Sequence, residues 1–248
     1  MNGAVTATII TLNEEVNIGR CLESLNWADD IVVVDSGSGD ATLDICRGFN
    51  CRIYNIDWRG FGATKQFALE QAGTEWVLSI DADEEVSDAL RQQIKDVIND
   101  PASLNGYKIQ RCSRYLGSFI RHSGWEHDRP LRLLRKSCGR FDLKSVHESI
   151  HLQGPAGLLK APLYHYPYPD ISTHIDKMNR YSELGAQELA KKGRNSSPAA
   201  AVLHGTGKFL KMYLLKAGFL DGAAGFVLAK NSAFGVYLKY IKLWKMNR

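Results

Sequence analysis

The sequence contains little that would cross-link the chain or carry it through a bilayer. Its 248 residues include five cysteines but no Cys-x-x-Cys pair, a pattern that favours reduced thiols over a disulfide framework. Residues 1–15 lack the basic segment of a signal peptide. No apolar run approaches the roughly 20 residues that a membrane-spanning helix needs. These absences predict a protein of the cytoplasm.

Phosphate-binding loops of the Walker type are also missing. The glycine-rich stretch 35–40 reads DSGSGD, and no lysine follows its glycines. The segment 10–20 lacks the glycine-rich, basic triphosphate loop that a sugar-nucleotide pyrophosphorylase would need. A pyrophosphorylase is therefore the less favoured of the nucleotide-binding enzymes with this kind of sheet.

Strand-like and helix-like segments alternate over the first part of the chain. The predicted strands are 5–13, 30–35, 51–57 and 75–81, and the predicted helices are 14–25, 41–48, 62–73 and 88–100. Ser87 is the predicted N-cap of the last of these helices, which ends before Pro101. The alternation predicts an α/β fold with a mostly parallel sheet, in which ligands bind beyond the carboxyl ends of the strands.

Small and acidic residues follow three of these strands. They are Thr11, Asn13 and Glu15 after the first strand, Asp35 and Ser36 at the end of the second, and Asp81 and Asp83 at the end of the fourth. In extended backbone, Asp81 and Asp83 would point to one side, roughly 6–7 Å apart, and their charges would repel. A divalent cation with oxygen ligands would relieve this repulsion. Taken alone, each stretch could equally be a solvated turn.

Three stretches together resemble the family 2 glycosyltransferases, which have the GT-A fold. They are TATIITLNEEVNIGRCLESL, DDIVVVDSGSGDAT and WVLSIDADEEVS. Two later stretches, RLLRKSCGRFDLKSVHESI and FLKMYLLKAGFLDGAAGFVLA, extend the resemblance over nearly the whole chain, towards bacterial lipopolysaccharide core β-1,4-glucosyltransferases. The resemblance implies an inverting, metal-dependent transfer of glucose from UDP-glucose to a heptose of a lipid A-core acceptor.

The resemblance also assigns roles to residues. Asp35 would bind the nucleoside, Asp81 the ribose and metal, and Asp83 a manganese or magnesium ion on the diphosphate. The other residues expected at the donor are Thr11, Asn13, Glu15, Ser36 and Lys65. Lys65 would place a positive charge near the diphosphate; the alternative is an ordinary solvated helix lysine.

An inverting transfer needs a carboxylate that takes the proton of the acceptor hydroxyl. The segment 104–170 offers four candidates. Asp128 and Glu148 are the favoured bases, and Glu126 and Asp142 are the alternatives.

The same segment contains histidine and arginine residues that could bind phosphate or metal. His147 would be a third metal ligand or a contact to the diphosphate, or else a hydrogen-bonded structural residue. Arg129, Arg132 and Arg135 would bind acceptor phosphates, since a planar guanidinium suits that geometry; the alternative is a solvated strand face.

The C-terminal segment 208–248 is strongly basic. Seven lysines and one arginine face a single acid, Asp221, which gives a local net charge of +7 in a chain of net charge +4. Aromatic and leucine side chains interleave with these charges, a combination that suits an anionic membrane surface. The remainder is acidic, at about −3 by difference, which disfavours nucleic acid as a partner. The alternative is a packing helix with solvated lysines.

The predicted organisation has two parts. Residues 1–168 would form the GT-A domain, with a nucleotide-sugar half (1–100) and an acceptor half (101–168), and 169–248 a helical region peripheral to the cytoplasmic face of the inner membrane. Two alternatives for the function are a non-catalytic glycan- or nucleotide-binding module and a transferase for another lipid-linked or cell-surface glycan.

Overall fold

A computed structural model of the chain describes residues 3–142 and 149–248. The chain divides into two compact units. The first comprises the chain up to Arg111 together with Asp128–His165, and the second comprises Cys112–His127 together with Tyr166–Arg248. The segment 112–127, assigned from the sequence to the acceptor half of the transferase domain, is thus grouped with the C-terminal helices.

The strands follow the predicted positions closely in the N-terminal part. They are β1 (Val5–Thr11), β2 (Asp30–Asp35), β3 (Arg52–Asn55), β4 (Trp76–Asp81), β5 (Glu84–Val86), β6 (Gly106–Tyr115), β7 (Ser118–Phe119), β8 (Leu131–Arg135), β9 (Gly139–Phe141), β10 (Ile150–Leu152) and β11 (Ala156–His165). The order in the main sheet is β3-β2-β1-β4-β8-β6-β11-β5, with β7 paired to β6, while β9 and β10 form a separate pair.

The helices of the first unit are α1 (Ile18–Glu23), α2 (Thr42–Arg47), α3 (Phe61–Gln71) and α4 (Asp88–Asn99), and those of the second are α5 (Ile171–Lys191), α6 (Pro198–Leu210) and α7 (Gly222–Met246). The predicted cap of α4 is confirmed, because the Ser87 hydroxyl accepts a hydrogen bond from the amide of Leu90 at 3.2 Å. Helix α3 ends at Gln71, earlier than the sequence predicted.

Parallel pairing brings three strand ends to one edge of the sheet. β1 pairs in parallel with β2, which places Thr11 beside Asp35, and with β4, which places Ile10 beside Asp81. The apolar residues of these strands are buried, with Val33 and Leu78 fully inaccessible. This burial on both faces fixes the strands, so their carboxyl ends form a stable base for polar side chains.

The second unit has its own apolar core. Its buried members are Tyr115, Ile120, Met212, Ala224, Leu228 and Ala229. The Tyr115 hydroxyl lies 2.7 Å from Nδ1 of His174 and 3.2 Å from the amide nitrogen of Asn231. Burial lowers the pKa of His174, and the nearby charge of Lys177 lowers it further.

The long helices of the second unit differ from membrane-spanning helices in length or composition. Among the described residues, no single helix is both long and apolar enough to cross one. The pair Pro198–Leu215 and Gly218–Met246, bent by 74°, meets those criteria only when its two parts are taken together.

Candidate functional site

The loop after β2 curls around the carboxylate of Asp35. The carboxylate is buried and accepts hydrogen bonds from the amides of Gly37 at 2.8 Å and Ser38 at 2.9 Å, and from the Ser38 hydroxyl. An aspartate that binds the backbone two and three residues ahead fixes a tight turn. Asp35 therefore shapes the loop at the predicted nucleoside site.

The loop after β1 is tied to the loop after β2 by reciprocal hydrogen bonds. The amide of Asn13 donates to the Ser38 hydroxyl at 2.8 Å, and the Asn13 side-chain oxygen accepts from the amide of Gly39 at 2.9 Å. The Glu15 carboxylate accepts from the amide of Ala41 at 3.0 Å. Asn13 and Glu15 are thus brought to the predicted edge, where they hold the two loops together.

Two hydroxyls at this edge have no hydrogen-bond partner within the described residues. They belong to Thr11 and Ser36, and both oxygen atoms are buried. Buried polar atoms without partners are rare in folded proteins. These two are consistent with a ligand site at the ends of β1 and β2.

An open cavity of about 470 Å³ lies beside Asp35 at the ends of β2 and β3. Polar residues of β3 and the following loop line it, namely Asn55, Asp57 and Arg59. The sequence reasoning missed these three residues. Because β3 pairs in parallel with β2, the residues after β3 lie at the same edge of the sheet as those after β2. They could therefore have been predicted as ligand-binding residues on the same grounds.

The segment after β4 corrects one expectation. Ala82 and Asp83 form a turn between β4 and β5 rather than continuing the strand. Asp81 and Asp83 therefore do not form a same-side pair in extended backbone, and the repulsion argument for a cation between them does not hold. Each carboxylate has its own partners.

Asp81 is neutralised by cationic side chains of the protein. Its Oδ1 lies 2.8 Å from Nζ of Lys65, and its Oδ2 accepts a hydrogen bond from Nη2 of Arg132. The same Nη2 donates to Oε1 of the fully buried Glu84 at 2.7 Å. The buried Arg132 is thus shared between Asp81 and Glu84.

Charges of alternating sign continue from Glu84 through Arg111 to Asp128. Nη1 of Arg111 lies 3.1 Å from Oε1 of Glu84, while its Nε and Nη2 lie 2.7 and 2.6 Å from Oδ2 of Asp128. We call these six residues the charge chain: Lys65, Asp81, Arg132, Glu84, Arg111 and Asp128. It runs from the buried Lys65 to the Asp128 side chain, which is 38% exposed.

The charge chain changes the interpretation of two basic residues. Lys65 is buried against Asp81 and is not a solvated helix lysine. Arg132 is also buried, so it forms neither a solvated strand face nor an exposed phosphate contact. Arg129 remains exposed, and its Nε donates to the side-chain oxygen of Gln110 at 2.8 Å.

Electrostatics at the charge chain favour the ionised forms of Asp81 and Arg132. Burial alone would raise the pKa of Asp81, but the charges of Arg132 and Lys65 outweigh it and hold that pKa well below its usual range. Burial alone would lower the pKa of Arg132, yet Asp81 and Glu84 raise it. Opposite charges within a few ångströms favour the charged forms of both partners.

Asp83 faces a histidine from a distant part of the chain. Nε2 of His165, the last residue of β11, lies 3.4 Å from Oδ2 of Asp83. A carboxylate oxygen and an imidazole nitrogen are both ligands for divalent ions. This pair therefore offers two ligands of the types that a divalent ion takes, and residues 3–142 and 149–248 contain no group of three metal-binding side chains.

The remaining predicted site residues divide into two groups. Asp128 lies in the charge chain beside Arg111. The predicted base Glu148 and the predicted metal ligand His147 lie outside the described residues. His165 was missed because it lies more than 80 positions from Asp83, and its proximity depends on the position of β11 in the sheet.

Acids and an open cavity at the carboxyl edge of a parallel sheet lie where open α/β sheets bind their ligands. Residues 6–153 match the family Glycosyl transferase family 2, and the chain belongs to that family. It is a glycosyltransferase. Because the chain belongs to this family, a glycosyltransferase is favoured over both the pyrophosphorylase and the non-catalytic binding module considered from the sequence.

Relatives match over almost the full chain. A lipopolysaccharide core biosynthesis glycosyltransferase, LpsC of Rhizobium meliloti, is 32% identical over 97% of this chain and 92% of its own length. An uncharacterised glycosyltransferase of Rickettsia typhi is 30% identical over 98% of this chain and 87% of its own length.

Solved structures show the same fold at lower identity. The mannosyltransferase PcManGT of Pyrobaculum calidifontis, in complex with GDP-Man and Mn²⁺, has a TM-score of 0.59 at 16% identity, covering 99% of this chain and 88% of its own. S. aureus TarS 1-349 in complex with UDP has a TM-score of 0.50 at 15% identity, covering 99% and 91%. The fold is GT-A-like, as the sequence predicted.

The charge chain predicts a large effect of Arg132→Met on stability. Removing this cation leaves Asp81 and Glu84 without their shared partner, which should lower the free energy of unfolding by about 3–5 kcal/mol in urea titrations near neutral pH. The depressed pKa of Asp81 stabilises the native state above about pH 4, its unfolded pKa, and this contribution is lost as the pH falls towards the folded pKa. The difference between wild type and variant should therefore narrow in acid.

Arg129→Met is the matched control for this substitution. It removes an exposed guanidinium three residues away, so its cost should stay within about 0.5 kcal/mol. Equal losses for the two variants would show that the charge chain does not stabilise the fold.

Proposed function

We propose that this glycosyltransferase inverts the anomeric centre while it transfers glucose from UDP-glucose to a heptose of a lipopolysaccharide inner core, with a divalent metal. The observation that carries the proposal is the pairing of Asp83 with His165 at the edge where β1, β2 and β4 end. The alternative acceptor is another lipid-linked or cell-surface glycan.

The comparisons support the substrate classes without fixing them. LpsC is by name a lipopolysaccharide core enzyme and is similar over nearly the whole chain. TarS was crystallised with UDP, and PcManGT with GDP-Man and Mn²⁺. The similarity to TarS supports a uridine diphosphate sugar as the donor, and the similarity to LpsC supports a lipid A-core acceptor.

The donor nucleoside would occupy the cavity beside Asp35. Asn55 and Asp57 provide hydrogen-bonding groups for a base, and Arg59 provides a positive charge for phosphate. The unpartnered hydroxyls of Thr11 and Ser36 would bind polar atoms of the same ligand. Asp81 would contact the ribose from a position fixed by Lys65 and Arg132, so that its charge is already compensated before the donor arrives.

Asp83 and His165 would hold the metal, and the donor diphosphate would complete its coordination. A divalent ion at this position would supply Lewis-acid stabilisation of the diphosphate leaving group. The protein contributes the carboxylate from the turn after β4 and the imidazole from the end of β11. The turn at Ala82 and Asp83 separates this carboxylate from the neutralised Asp81.

Asp128 is the favoured base. Both of its hydrogen bonds from Arg111 go to Oδ2, which orients the carboxyl group and leaves Oδ1 for the acceptor hydroxyl. Arg111 divides its charge between Asp128 and Glu84. A carboxylate held in this way can accept the proton as the hydroxyl attacks, and no covalent intermediate is required.

The donor and metal assignments can be tested by thermal shift with a panel of sugar nucleotides. UDP-glucose with manganese should raise the melting temperature most, because a ligand that binds only the native state stabilises it by mass action. Asp83→Ala and His165→Gln should each weaken metal-dependent donor binding about 10–100-fold. Asp88→Asn, an exposed acid at the start of α4, is the control. Unchanged manganese-dependent binding in Asp83→Ala would refute the assignment.

The base assignment can be tested with Asp128→Asn, which keeps the shape and removes the proton acceptor. Turnover with a heptose-terminated core acceptor should fall about 10²–10⁴-fold, whereas UDP-glucose affinity should stay at the wild-type value. Asp88→Asn, which changes an exposed acid at the start of α4, is the control. Wild-type turnover by Asp128→Asn would move the role to Glu148, Glu126 or Asp142.

The second unit supports the proposed location at the membrane surface. Leucines on its exterior are unusually exposed, with values of 73% for Leu203, 81% for Leu215 and 61% for Leu220. Lysines lie among them in the chain, and such a mixture suits an anionic leaflet. We place the enzyme at the cytoplasmic face of the inner membrane, where a lipid-linked acceptor would be within its reach.

Deleting 208–248 would not test this location cleanly, because Met212, Leu228 and Ala229 belong to the core of the second unit. The paired substitution Leu215→Ser and Leu220→Ser avoids that difficulty. It should weaken sedimentation with anionic vesicles at least about tenfold, since each buried leucine contributes about 1.5–3 kcal/mol. The pair Leu104→Ser and Leu158→Ser, on exposed leucines of the first unit, is the control. Equal binding by both double variants would refute the assigned face.

A further inference from the structure

A second cavity, of about 290 Å³, lies within the second unit. Three lysines line it, Lys208 near the end of α6 and Lys211 and Lys216 in the segment that follows. Ser123 and Ser232 add hydroxyl groups to the lining, and Trp125 adds an aromatic wall. None of the residues that line the cavity is acidic.

Two carboxylates contact residues that line this cavity: Oδ2 of Asp221 accepts from the Ser123 hydroxyl at 3.4 Å, and Oε2 of Glu126 accepts from the amide of Gly124 at 2.8 Å. No acid of the described residues lies within ion-pair distance of Lys208, Lys211 or Lys216. Asp221, the one acid of the segment 208–248, accepts hydrogen bonds from the amides of Arg121 and His122, both at 3.0 Å. Burial lowers the pKa of Lys208, and the charges of Lys211 and Lys239 lower it further. A bound anion would relieve this repulsion.

The backbone around the cavity adopts conformations that other residues must maintain. Lys211–Leu215 form a turn of π-helix, a form frequent at functional sites. Ser123 and Ala217 have left-handed backbones, with φ of 63° and 50°, which is costly for residues other than glycine. The amide of Ser123 donates to the carbonyl of Lys216 at 2.8 Å, so the two strained segments support each other.

We propose that this cavity is a phosphate-binding subsite, distinct from the donor site and resting on the geometry of the second unit alone. Three ammonium groups exceed what one carboxylate would neutralise, whereas a phosphate monoester carries about −1.5 to −2 charges at neutral pH. The hydroxyl of Ser232 supplies a further hydrogen bond, and Trp125 packs against the group that carries the phosphate. That group is a saccharide of the acceptor or the headgroup of a lipid.

The subsite can be tested by titration calorimetry of the full chain with inorganic phosphate, at an ionic strength held constant with sodium chloride. Wild type should show saturable binding. Lys211→Gln and Lys216→Gln should each weaken it about tenfold, equivalent to about 1.4 kcal/mol. Lys230→Gln, which removes an exposed lysine of α7 outside the cavity, should leave the affinity unchanged. Melting temperatures of the variants establish that they are folded.

Two further ligands distinguish the source of the phosphate. Competition by vesicles containing phosphatidic acid would assign the subsite to a lipid headgroup, and competition by glucose 1-phosphate without competition by vesicles would assign it to a saccharide. The Leu215→Ser and Leu220→Ser variant should keep its affinity for inorganic phosphate, which separates the subsite from the membrane face. Absence of saturable phosphate binding in wild type, or an equal loss in Lys230→Gln, would overturn the proposal.

Discussion

The position of Arg132 between Asp81 and Glu84 determines how the catalytic unit is built. One buried guanidinium nitrogen serves two carboxylates from β4 and β5, and the amide of Asp81 also donates to Oε2 of Glu84 at 3.0 Å. The turn between these strands is thus held from both of its ends. Because a buried ion without a partner is strongly destabilising, all of these contacts must form together.

Because of that turn, the carboxylates of Asp81 and Asp83 have different partners. Asp81 is satisfied by Lys65 and Arg132, so it presents a compensated charge, whereas Asp83 is turned towards His165. Two acids separated by one residue can therefore serve different parts of one substrate. The charge chain then extends to Asp128, which links the orientation of the proposed base to the same buried arginine.

The pattern of the sequence was sufficient to predict the parallel strands and the edge of the sheet at which they end. Buried strands such as Asp30–Asp35 and Trp76–Asp81 are continuous apolar runs, and Ser87 is a local cap signal. The burial of Arg132 could not be inferred from LRLLR, because a basic residue among leucines resembles a half-exposed strand. Only the antiparallel pairing of β8 with β4 explains why that residue meets acids. The His165 contact likewise depends on pairing between segments distant in sequence.

The discontinuity of the second unit has a consequence for synthesis on the ribosome. The chain leaves the first unit after Arg111 and returns to it at Asp128, and the segment between them, Cys112–His127, belongs to the second unit. The amide of Arg111 donates to the carbonyl of Asp128 at 3.0 Å. The sheet of the first unit can therefore form once His165 has left the ribosome. Residues 112–127 are then a loop whose two ends, Arg111 and Asp128, are already hydrogen-bonded to each other. The most exposed leucines, Leu203, Leu215 and Leu220, follow later in the chain, so they leave the ribosome only after the first unit can fold.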